Sequence, residues 1–442
     1  MEVYATQSPG IGGRIRQFPE DFAVEEILAD GSKAGVSPVE IQEPVGKGRY
    51  LICVLVKRDW DTLRAVKKIA KRLGISRKRI RIAGMKDAKA LTAQHISLQN
   101  VAPKRVSEVK IKDITLRPLY FSDGRIFSQL ILGNQFRISI RAISHTSSVI
   151  ERRVENVQSE LLDLGGFPNF YGHQRFGTIR PITHLVGRFL TEGDLEKAAF
   201  SFLAQPSVHE HPESREAREQ LRDNQDFVEA FRSFPRYLRY ERLMLDHLAK
   251  QPKDFVGAFR KLPLKLRKLF IQAYQSFLFN KFLSQRIKRG IPLNEAQIGD
   301  YGVKLDNHGL PTTEFMQVTA PSLRTAKKAL NESRMHIAVP LIGFKQPPSQ
   351  GVQGEIERET LEIENANPQD FYVSFMPEVS ASGELRTILA PTTDLSIGEA
   401  SIDSENPSKR KTRLNFTLHR GSYATVLLRE FMKPRDLIKA GF

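Results

Sequence analysis

The sequence of 442 residues lacks several features that would indicate particular classes of protein. It contains a single cysteine, Cys53, which excludes an intramolecular disulfide and a thiolate metal site. It has no run of 18 apolar residues, and its first residues, MEVYATQSPG, lack the basic and apolar regions of a signal peptide. We therefore expect a cytoplasmic protein that does not span a membrane, with two or three domains for this length.

Motifs for cofactors are missing as well. There is no phosphate-binding loop, and the glycines near Gly10 do not follow a predicted strand. His209 and His211 form the only tight histidine pair, in a stretch so polar that a solvated loop is a simpler interpretation than a metal site. The sequence therefore predicts neither a metal nor a small-molecule cofactor.

Positive charge, in contrast, is abundant and concentrated. The net charge is +17, and the window from Lys57 to Lys89 contains thirteen Lys or Arg against three Asp. An excess of this size, clustered in one part of the chain, is typical of proteins that bind polyanions.

Within this window, TLRAVKKIAKRLG predicts an amphipathic helix that starts at Asp61 or Thr62 and ends at Gly74. At the helical period, the apolar face is predicted to hold Leu63, Val66, Ile69, Ala70 and Leu73. The opposite face is basic and holds Arg64, Lys67, Lys68, Lys71 and Arg72. An ordinary solvated face mixes both signs of charge. Because no acid interrupts this face, we favour a contact with RNA or DNA phosphates.

Strand patterns occur near both ends of the chain, whereas the middle is mostly helical. Predicted strands include Phe22 with Val24 and the segments 50–56, 134–141 and 413–419. The segment GSYATVLLREFMK predicts a helix with Ser422 as its N-cap, and 265–290 predicts a long amphipathic helix. The segment 345–370, rich in Pro, Gln, Gly and Glu, predicts a surface loop. These patterns favour a sheet domain built from both ends of the chain.

Four motifs resemble those of one family, the TruD family of RNA pseudouridine synthases. Residues 83–94 (AGMKDAKALTAQ) match its A-G-x-K-D-x-x-A-x-T-x-Q signature, and 168–177 (PNFYGHQRFG) match its P-N-aromatic-aromatic-G-x-Q-R-F-G stretch. Residues 421–430 (GSYATVLLRE) and 18–26 (FPEDFAVEE) resemble its C-terminal and N-terminal motifs. The four motifs occur in the family's order across nearly the whole chain.

The resemblance implies an α+β fold: a pseudouridine synthase catalytic domain around a mixed, largely antiparallel sheet, interrupted by a more helical TruD-specific insertion. We expect the catalytic domain to comprise residues 1–180 and 386–442, with the insertion at 181–385. In its length the insertion resembles the enlarged form of the archaeal and eukaryotic branch. The implied activity is isomerisation of a uridine in tRNA, at position 13, by a monomer. The alternative is a non-catalytic RNA-binding protein or RNA chaperone with the same fold.

The resemblance also implies a catalytic residue, Asp87, acting as a nucleophile at C1′ or C6 or as a base. Without the other motifs, an Asp in this position would be interpreted as a turn residue. Because burial disfavours an ionised carboxylate, a cation must accompany it. The family's position for that cation matches Arg16, for which a phosphate contact is the alternative.

The remaining predicted site residues surround the substrate. Asn169 is expected to hydrogen-bond the target base or to orient Asp87, and Lys86 is placed among the substrate-binding residues although its side chain should point away from Asp87. The base must be extruded from the folded RNA and stacked. The aromatic residues predicted around it are Phe22, Tyr171 and Tyr423, and those predicted to bind tRNA phosphates are Lys67, Lys68 and Lys71.

Overall fold

The computed structural model describes residues 1–37 and 43–442. The chain divides into two compact units. The first, which we call the sheet unit, consists of Thr6–Phe167 and Ala390–Phe442, and the second, the helical unit, consists of Met1–Ala5 and Pro168–Leu389. The domain boundaries expected from the sequence stay a prediction.

The strands, in chain order, are β1 (Phe22–Leu28), β2 (Tyr50–Arg58), β3 (Ile80–Ile82), β4 (Leu91–Gln99), β5 (Ile114–Ser122), β6 (Ile131–Ile143), β7 (Phe167–Pro168), β8 (Tyr301–Leu305), β9 (Pro311–Gln317), β10 (Met335–Leu341), β11 (Glu384–Thr387), β12 (Leu389–Ala390), β13 (Thr392–Ile397), β14 (Ser401–Asp403) and β15 (Asn406–His419). The helices are α1 (Thr62–Leu73), α2 (Pro103–Ser107), α3 (Ser147–Leu164), α4 (Thr183–Thr191), α5 (Leu195–Leu203), α6 (Pro212–Asn224), α7 (Phe227–Ser233), α8 (Arg239–Leu248), α9 (Phe255–Arg260), α10 (Leu264–Lys288), α11 (Leu323–Asn331), α12 (Gly351–Ile363) and α13 (Ala424–Met432).

The sheet unit is organised around a nine-stranded sheet in the order β13-β15-β6-β1-β4-β2-β5, with β14 beside β15 and β3 beside β4. The pair β1 and β4 is parallel, and the other pairs, such as β1 with β6 and β2 with β4, are antiparallel. The alternating segment 134–141 lies in β6, where Phe136, Ile138 and Ile140 are buried as predicted. The α+β fold with a mixed, largely antiparallel sheet is therefore confirmed.

Helix α1 begins and ends where the sequence predicts. Asp61 caps it by accepting a hydrogen bond from the backbone N–H of Arg64, and Gly74 ends it in the left-handed conformation. The inclusion of Leu63 in the apolar face was wrong, because Leu63 lies at the margin of the buried arc and is 41% exposed. Thr62 lies nearer the centre of that arc and is buried instead.

The helical unit contains α4 to α12 and a four-stranded sheet in the order β11-β10-β8-β9. Helix α10 packs against α4, α12 and β10 and is buried on most of its surface, so it is less one-sided than predicted. The surface loop predicted at 345–370 was wrong, since it contains α12. The buried face of α12 includes Gln353, Glu357 and Thr360, and polar residues in buried positions hid the helical pattern.

Helix α13 lies in the sheet unit and is buried along its whole length. Its N-cap is Tyr423 rather than Ser422, because the backbone of Tyr423 is still extended and its carbonyl accepts the first helical hydrogen bond, from Val426. Across residues 1–37 and 43–442, none of the helices combines the length and apolar character needed to cross a membrane.

Candidate active site

The parallel pairing of β1 and β4 brings Arg16 and Asp87 together. Parallel strands begin at the same edge of a sheet, and here Ala23 of β1 pairs with Leu91 of β4. The segments that precede the two strands therefore meet at this edge. Nη2 of Arg16 donates a hydrogen bond to Oδ1 of Asp87 at 3.0 Å.

The guanidinium of Arg16 is held on three sides. Its Nη1 donates to the carbonyl of Gly441 at 3.0 Å, and its plane lies over the ring of Phe22, with Cζ 3.9 Å from the ring centroid. Burial lowers the pKa of Arg16, although the neighbouring Asp87 opposes this shift. The Arg16 side chain is 12% exposed and that of Asp87 is 41% exposed. A largely buried cation thus holds a carboxylate that is open to solvent.

Buried side chains form hydrogen bonds with the backbone of the segment that carries Asp87. Nζ of Lys57, which is fully buried, donates to the carbonyl of Asp87 at 2.6 Å. The hydroxyl of Thr62, the first residue of α1, donates to the carbonyl of Lys86 and accepts from its N–H, both at 3.2 Å. Gln94 donates to the carbonyl of Gly84 at 3.0 Å. Burial lowers the pKa of Lys57 to about 8, while Asp87 acts in the opposite direction.

Lys86 points away from Asp87, as its position in extended backbone predicts. Its Nζ lies 2.8 Å from Oε2 of Glu26 and donates to Oδ1 of Asn134 at 2.7 Å. Oε1 of Glu26 accepts from the backbone N–H of His95 at 2.9 Å. Burial acts to raise the pKa of Glu26, but the hydrogen bonds from His95 and the charge of Lys86 lower it overall. The Lys86 side chain is 6% exposed, and these contacts anchor this segment, while the substrate-binding role predicted for Lys86 stays a prediction.

The predicted aromatic residues of the sheet unit differ in exposure. Phe22 is 1% exposed, and its ring contacts the guanidinium of Arg16 on one side and the edge of Phe136 on another. Tyr423 is half-buried at the start of α13. Stacking of a base on either ring stays a prediction, and the contact that the structure shows for Phe22 is support of Arg16.

Asn169 and Tyr171 belong to the helical unit. The amide of Asn169 donates to the carbonyl of Thr387 at 3.0 Å and accepts from Nη2 of Arg386 at 2.6 Å. The ring of Tyr171 lies against two guanidinium groups, those of Arg386 at 4.1 Å and Arg175 at 5.3 Å from the centroid. The roles predicted for Asn169 and Tyr171 stay predictions.

Sequence reasoning missed the supporting residues Lys57, Glu26, His95, Arg386 and Gly441. Some of them left a signal, since Glu26 ends the FPEDFAVEE motif and His95 follows Gln94 in a buried strand. Lys57 carried no signal beyond its place in the basic window. Among the described residues, no three His, Cys, Asp or Glu side chains form a cluster that could hold a metal ion.

The basic face of α1 lies on the surface of the sheet unit. Arg64, Lys67, Lys68, Lys71 and Arg72 are all exposed. Within the part of the chain that the structure describes, no carboxylate forms an ion pair with any of these five side chains. The hydrogen bonds between Thr62 and Lys86 join this helix directly to the segment that carries Asp87.

The fold and site identify the class of protein when they are compared with known proteins. A family model described as tRNA pseudouridine synthase D (TruD) matches residues 1–431. The chain is therefore a tRNA pseudouridine synthase, an isomerase. More particularly, it belongs to the TruD family, and the resemblance found in the sequence motifs is confirmed.

Individual relatives agree with this assignment over almost the full length. A protein of Methanosarcina barkeri named "Probable tRNA pseudouridine synthase D" is 38% identical, and the match covers 99% of this chain and 97% of the relative. One of the same name from Thermococcus onnurineus is 40% identical, with 97% of each chain covered. A crystal structure described as that of the "Putative tRNA pseudouridine synthase D (TruD) from Methanosarcina mazei" has a TM-score of 0.84 at 38% identity, covering 98% of this chain and 96% of that one.

Proposed function

We propose that this enzyme converts uridine 13, in the D-arm of tRNA, to pseudouridine, with Asp87 as the catalytic carboxylate. In this reaction the N1–C1′ bond of uridine breaks, the uracil rotates, and a C5–C1′ bond forms, while C5 loses its proton and N1 gains one. The observation that carries the proposal is the pair of Arg16 and Asp87, in which a largely buried guanidinium lies 3.0 Å from a carboxylate that a substrate can reach.

The surroundings of Asp87 suit a reactive carboxylate. The charge of Arg16 is complementary to that of a carboxylate, the group that attacks carbon or accepts a proton. The hydrogen bonds from Lys57 and Thr62 restrain the backbone on both sides of the Lys86–Asp87 peptide. Restraint of this kind keeps a reacting group in the geometry that the reaction needs. Attack at C1′, attack at C6 and base catalysis are all open to this arrangement.

The basic face of α1 is proposed to bind the tRNA backbone. Lys67, Lys68 and Lys71 are exposed and lie on a helix whose first residue, Thr62, is hydrogen-bonded to the segment of Asp87. Phosphates bound along this face would deliver the neighbouring nucleotides toward the carboxylate.

The remaining contacts to the extruded uridine are part of the same proposal. We assign stacking contacts to Tyr423, Phe22 and Tyr171, a hydrogen bond to Asn169, and a substrate-binding role to Lys86, whose Nζ is held by Glu26. The enzyme is proposed to act in the cytoplasm as a monomer without a metal or small-molecule cofactor.

The test is incubation with unmodified total tRNA, followed by mapping of pseudouridine at nucleotide resolution. We expect modification at position 13 of tRNA with the wild-type protein and none with Asp87→Asn. Modification at a different position would contradict the assigned site. Binding of tRNA without any modification would favour the non-catalytic RNA-binding protein or chaperone.

A further inference from the structure

The segment 432–442, which begins where α13 ends, contacts the candidate active site through one backbone carbonyl. We propose that Gly441 is a positioning residue: its carbonyl orients the guanidinium of Arg16, and Arg16 in turn orients Asp87. This segment lies outside the residues 1–431 that the family model matches. The inference rests on the proposed function of the Arg16–Asp87 pair.

The two acceptors of Arg16 share one guanidinium fork. Nη1 donates to the carbonyl of Gly441 and Nη2 to Oδ1 of Asp87, each at 3.0 Å. Because the guanidinium is planar and its donors have fixed directions, an acceptor on Nη1 determines where Nη2 points. Arg16 therefore does not bind Asp87 with both arms of the fork, as its chemistry would allow, but bridges the carboxylate to the backbone.

A carbonyl is well suited to this role because it carries no net charge. A carboxylate in its place would compete with Asp87 for the positive charge of Arg16. With a neutral acceptor on Nη1, the attraction of the buried cation remains available to Asp87. The ring of Phe22 contacts the guanidinium of Arg16 and restrains it in addition to the two hydrogen bonds.

The segment itself is tied to the residue before Arg16. The backbone N–H of Ile15 donates to the carbonyl of Ala440 at 2.9 Å. The N–H of Phe442 donates to the carbonyl of Leu437 at 2.9 Å, and Phe442 is 8% exposed. The position of the Gly441 carbonyl is therefore set by hydrogen bonds on one side and a buried ring on the other.

Glycine is required at position 441 for two reasons. Its φ is +86°, a region that other residues rarely adopt. In addition, a Cβ there would lie 2.1 Å from the carbonyl oxygen of Ile15, so a side chain would displace the backbone next to Arg16. Gly441→Ala should therefore shift both the acceptor and the base of the Arg16 side chain.

The experiment measures the single-turnover rate at saturating tRNA as a function of pH. For Gly441→Ala we expect a rate about 10- to 100-fold lower, since small misplacements of catalytic groups have effects of this size. We also expect the acid limb to move to higher pH, in the same direction as the shift that we predict for Arg16→Met. The matched control is Gly31→Ala, because Gly31 has a φ of +84° but no atom within 4 Å of the added Cβ. The control should keep the wild-type profile.

Two further variants separate positioning from general stability. Phe442→Ala loosens the segment without backbone strain, and it carries the test if Gly441→Ala does not fold. In the Arg16→Met background, Gly441→Ala should cause no further loss of rate, because a residue that acts through Arg16 has no effect once Arg16 is gone. Additive losses would overturn the proposal.

The outcome also distinguishes this inference from the proposed function. An unmoved acid limb in Arg16→Met alone would contradict the pairing of Arg16 with Asp87 on which both rest. A moved limb in Arg16→Met, with wild-type profiles in both Gly441→Ala and Phe442→Ala, would overturn only the role of Gly441.

Discussion

The sheet unit carries two groups of cations that differ in their surroundings. The outer group, Lys67, Lys68 and Lys71, lies exposed on α1 and forms no ion pair with the carboxylates of the described residues. The inner group consists of Lys57, which is buried, and Arg16 and Lys86, which are largely buried, and each member contacts a defined acceptor at or near Asp87. Charge of one sign thus serves two purposes in one compact unit.

The difference teaches how the chain can bind a polyanion without losing its reactive acid. Exposed cations attract phosphates at long range, and their contribution weakens as salt increases. The cations of the inner group already contact acceptors within the protein, so they hold Asp87 and its backbone instead of binding RNA phosphates. We predict that changes to the outer group affect binding, whereas changes to the inner group affect the chemical step or the stability of the fold.

The largest effect should come from removing the acid that the inner group serves. Asp87→Asn is nearly isosteric but cannot act as a nucleophile or base, so the rate of pseudouridine formation should fall by at least about 10³-fold. Binding of tRNA should change by only about two- or threefold, as expected for an exposed substitution away from the phosphate contacts. The matched control is Asp59→Asn, an exposed acid in the same basic window. Turnover by Asp87→Asn above about 1% of wild type would remove Asp87 from the catalytic role.

Replacement of Lys86 removes one cation of the inner group. Lys86→Met leaves the buried carboxylate of Glu26 without its cation, which should lower the free energy of unfolding by about 3–5 kcal/mol. Urea denaturation measures this loss, with Lys89→Met as the exposed control. The double variant Glu26→Gln/Lys86→Met should regain most of it. A loss below about 1 kcal/mol in Lys86→Met would show that the ion pair of Lys86 and Glu26 contributes no more to stability than an exposed ion pair does.

Arg16 tests the inner group at the reaction itself. In Arg16→Met the ionised carboxylate loses its cation, so the acid limb of the single-turnover profile should move to higher pH. Activity should fall most at low pH, by about 10- to 100-fold, and recover in part as pH increases. Arg16→Lys should restore only part of the profile, because one ammonium cannot span the acceptors on Asp87 and Gly441. A flatter salt dependence of tRNA binding with an unmoved acid limb would instead indicate a phosphate contact.

The outer group is tested by replacing Lys67, Lys68 and Lys71 together with Gln. Binding of tRNA should weaken, and the plot of log K against log salt should flatten by about 0.7–0.9 for each phosphate that the variant no longer neutralises. Lys327→Gln is the control, because its amine is paired with Glu295 in the helical unit. A slope equal to that of wild type would return this face of α1 to ordinary solvated surface.

The smallest expected effect is the pH dependence contributed by Lys57. Burial lowers its pKa from 10.5 to about 8, so between these values the unfolded chain binds more protons at this site than the folded protein. The contribution of Lys57 to the free energy of unfolding must therefore rise with pH through this window and be lowest below pH 8. The variant Lys57→Met lacks this increase in the free energy of unfolding with pH. Urea denaturation at about pH 7 and about pH 9.5 should show wild type improving relative to the variant, and a constant difference would contradict the assigned shift.

The sequence predicted the parts of this arrangement that repeat or that form motifs. The helical period predicted α1, and the alternation of apolar and polar residues predicted the strand β6 of the sheet. The family motifs predicted the contact between Arg16 and Asp87. Burial of Lys57 could not be predicted, because its charge fits the basic window equally well as exposed surface. The role of Gly441 could not be predicted either, since a backbone carbonyl carries no residue-specific signal and lies 425 positions from Arg16 in sequence.

Errors arose where tertiary packing overrides a local pattern. The pattern of α12 resembles a loop because Gln353 and Glu357 occupy buried positions that apolar residues normally fill. The helical period alone places Leu63 in the core of α1, because it does not show that Thr62 is buried and bonded to Lys86. In both helices the prediction failed because a polar residue occupies a position that the sequence pattern does not mark as buried.

The most direct test of the separation between the two groups of cations is the single-turnover rate at saturating tRNA, measured side by side for Arg16→Met and for the variant with Lys67, Lys68 and Lys71 replaced by Gln. Saturation removes differences in affinity and leaves the chemical step. We predict a rate near wild type for the triple variant and a reduced rate, most reduced at low pH, for Arg16→Met. A wild-type rate in Arg16→Met together with a reduced rate in the triple variant would contradict this prediction.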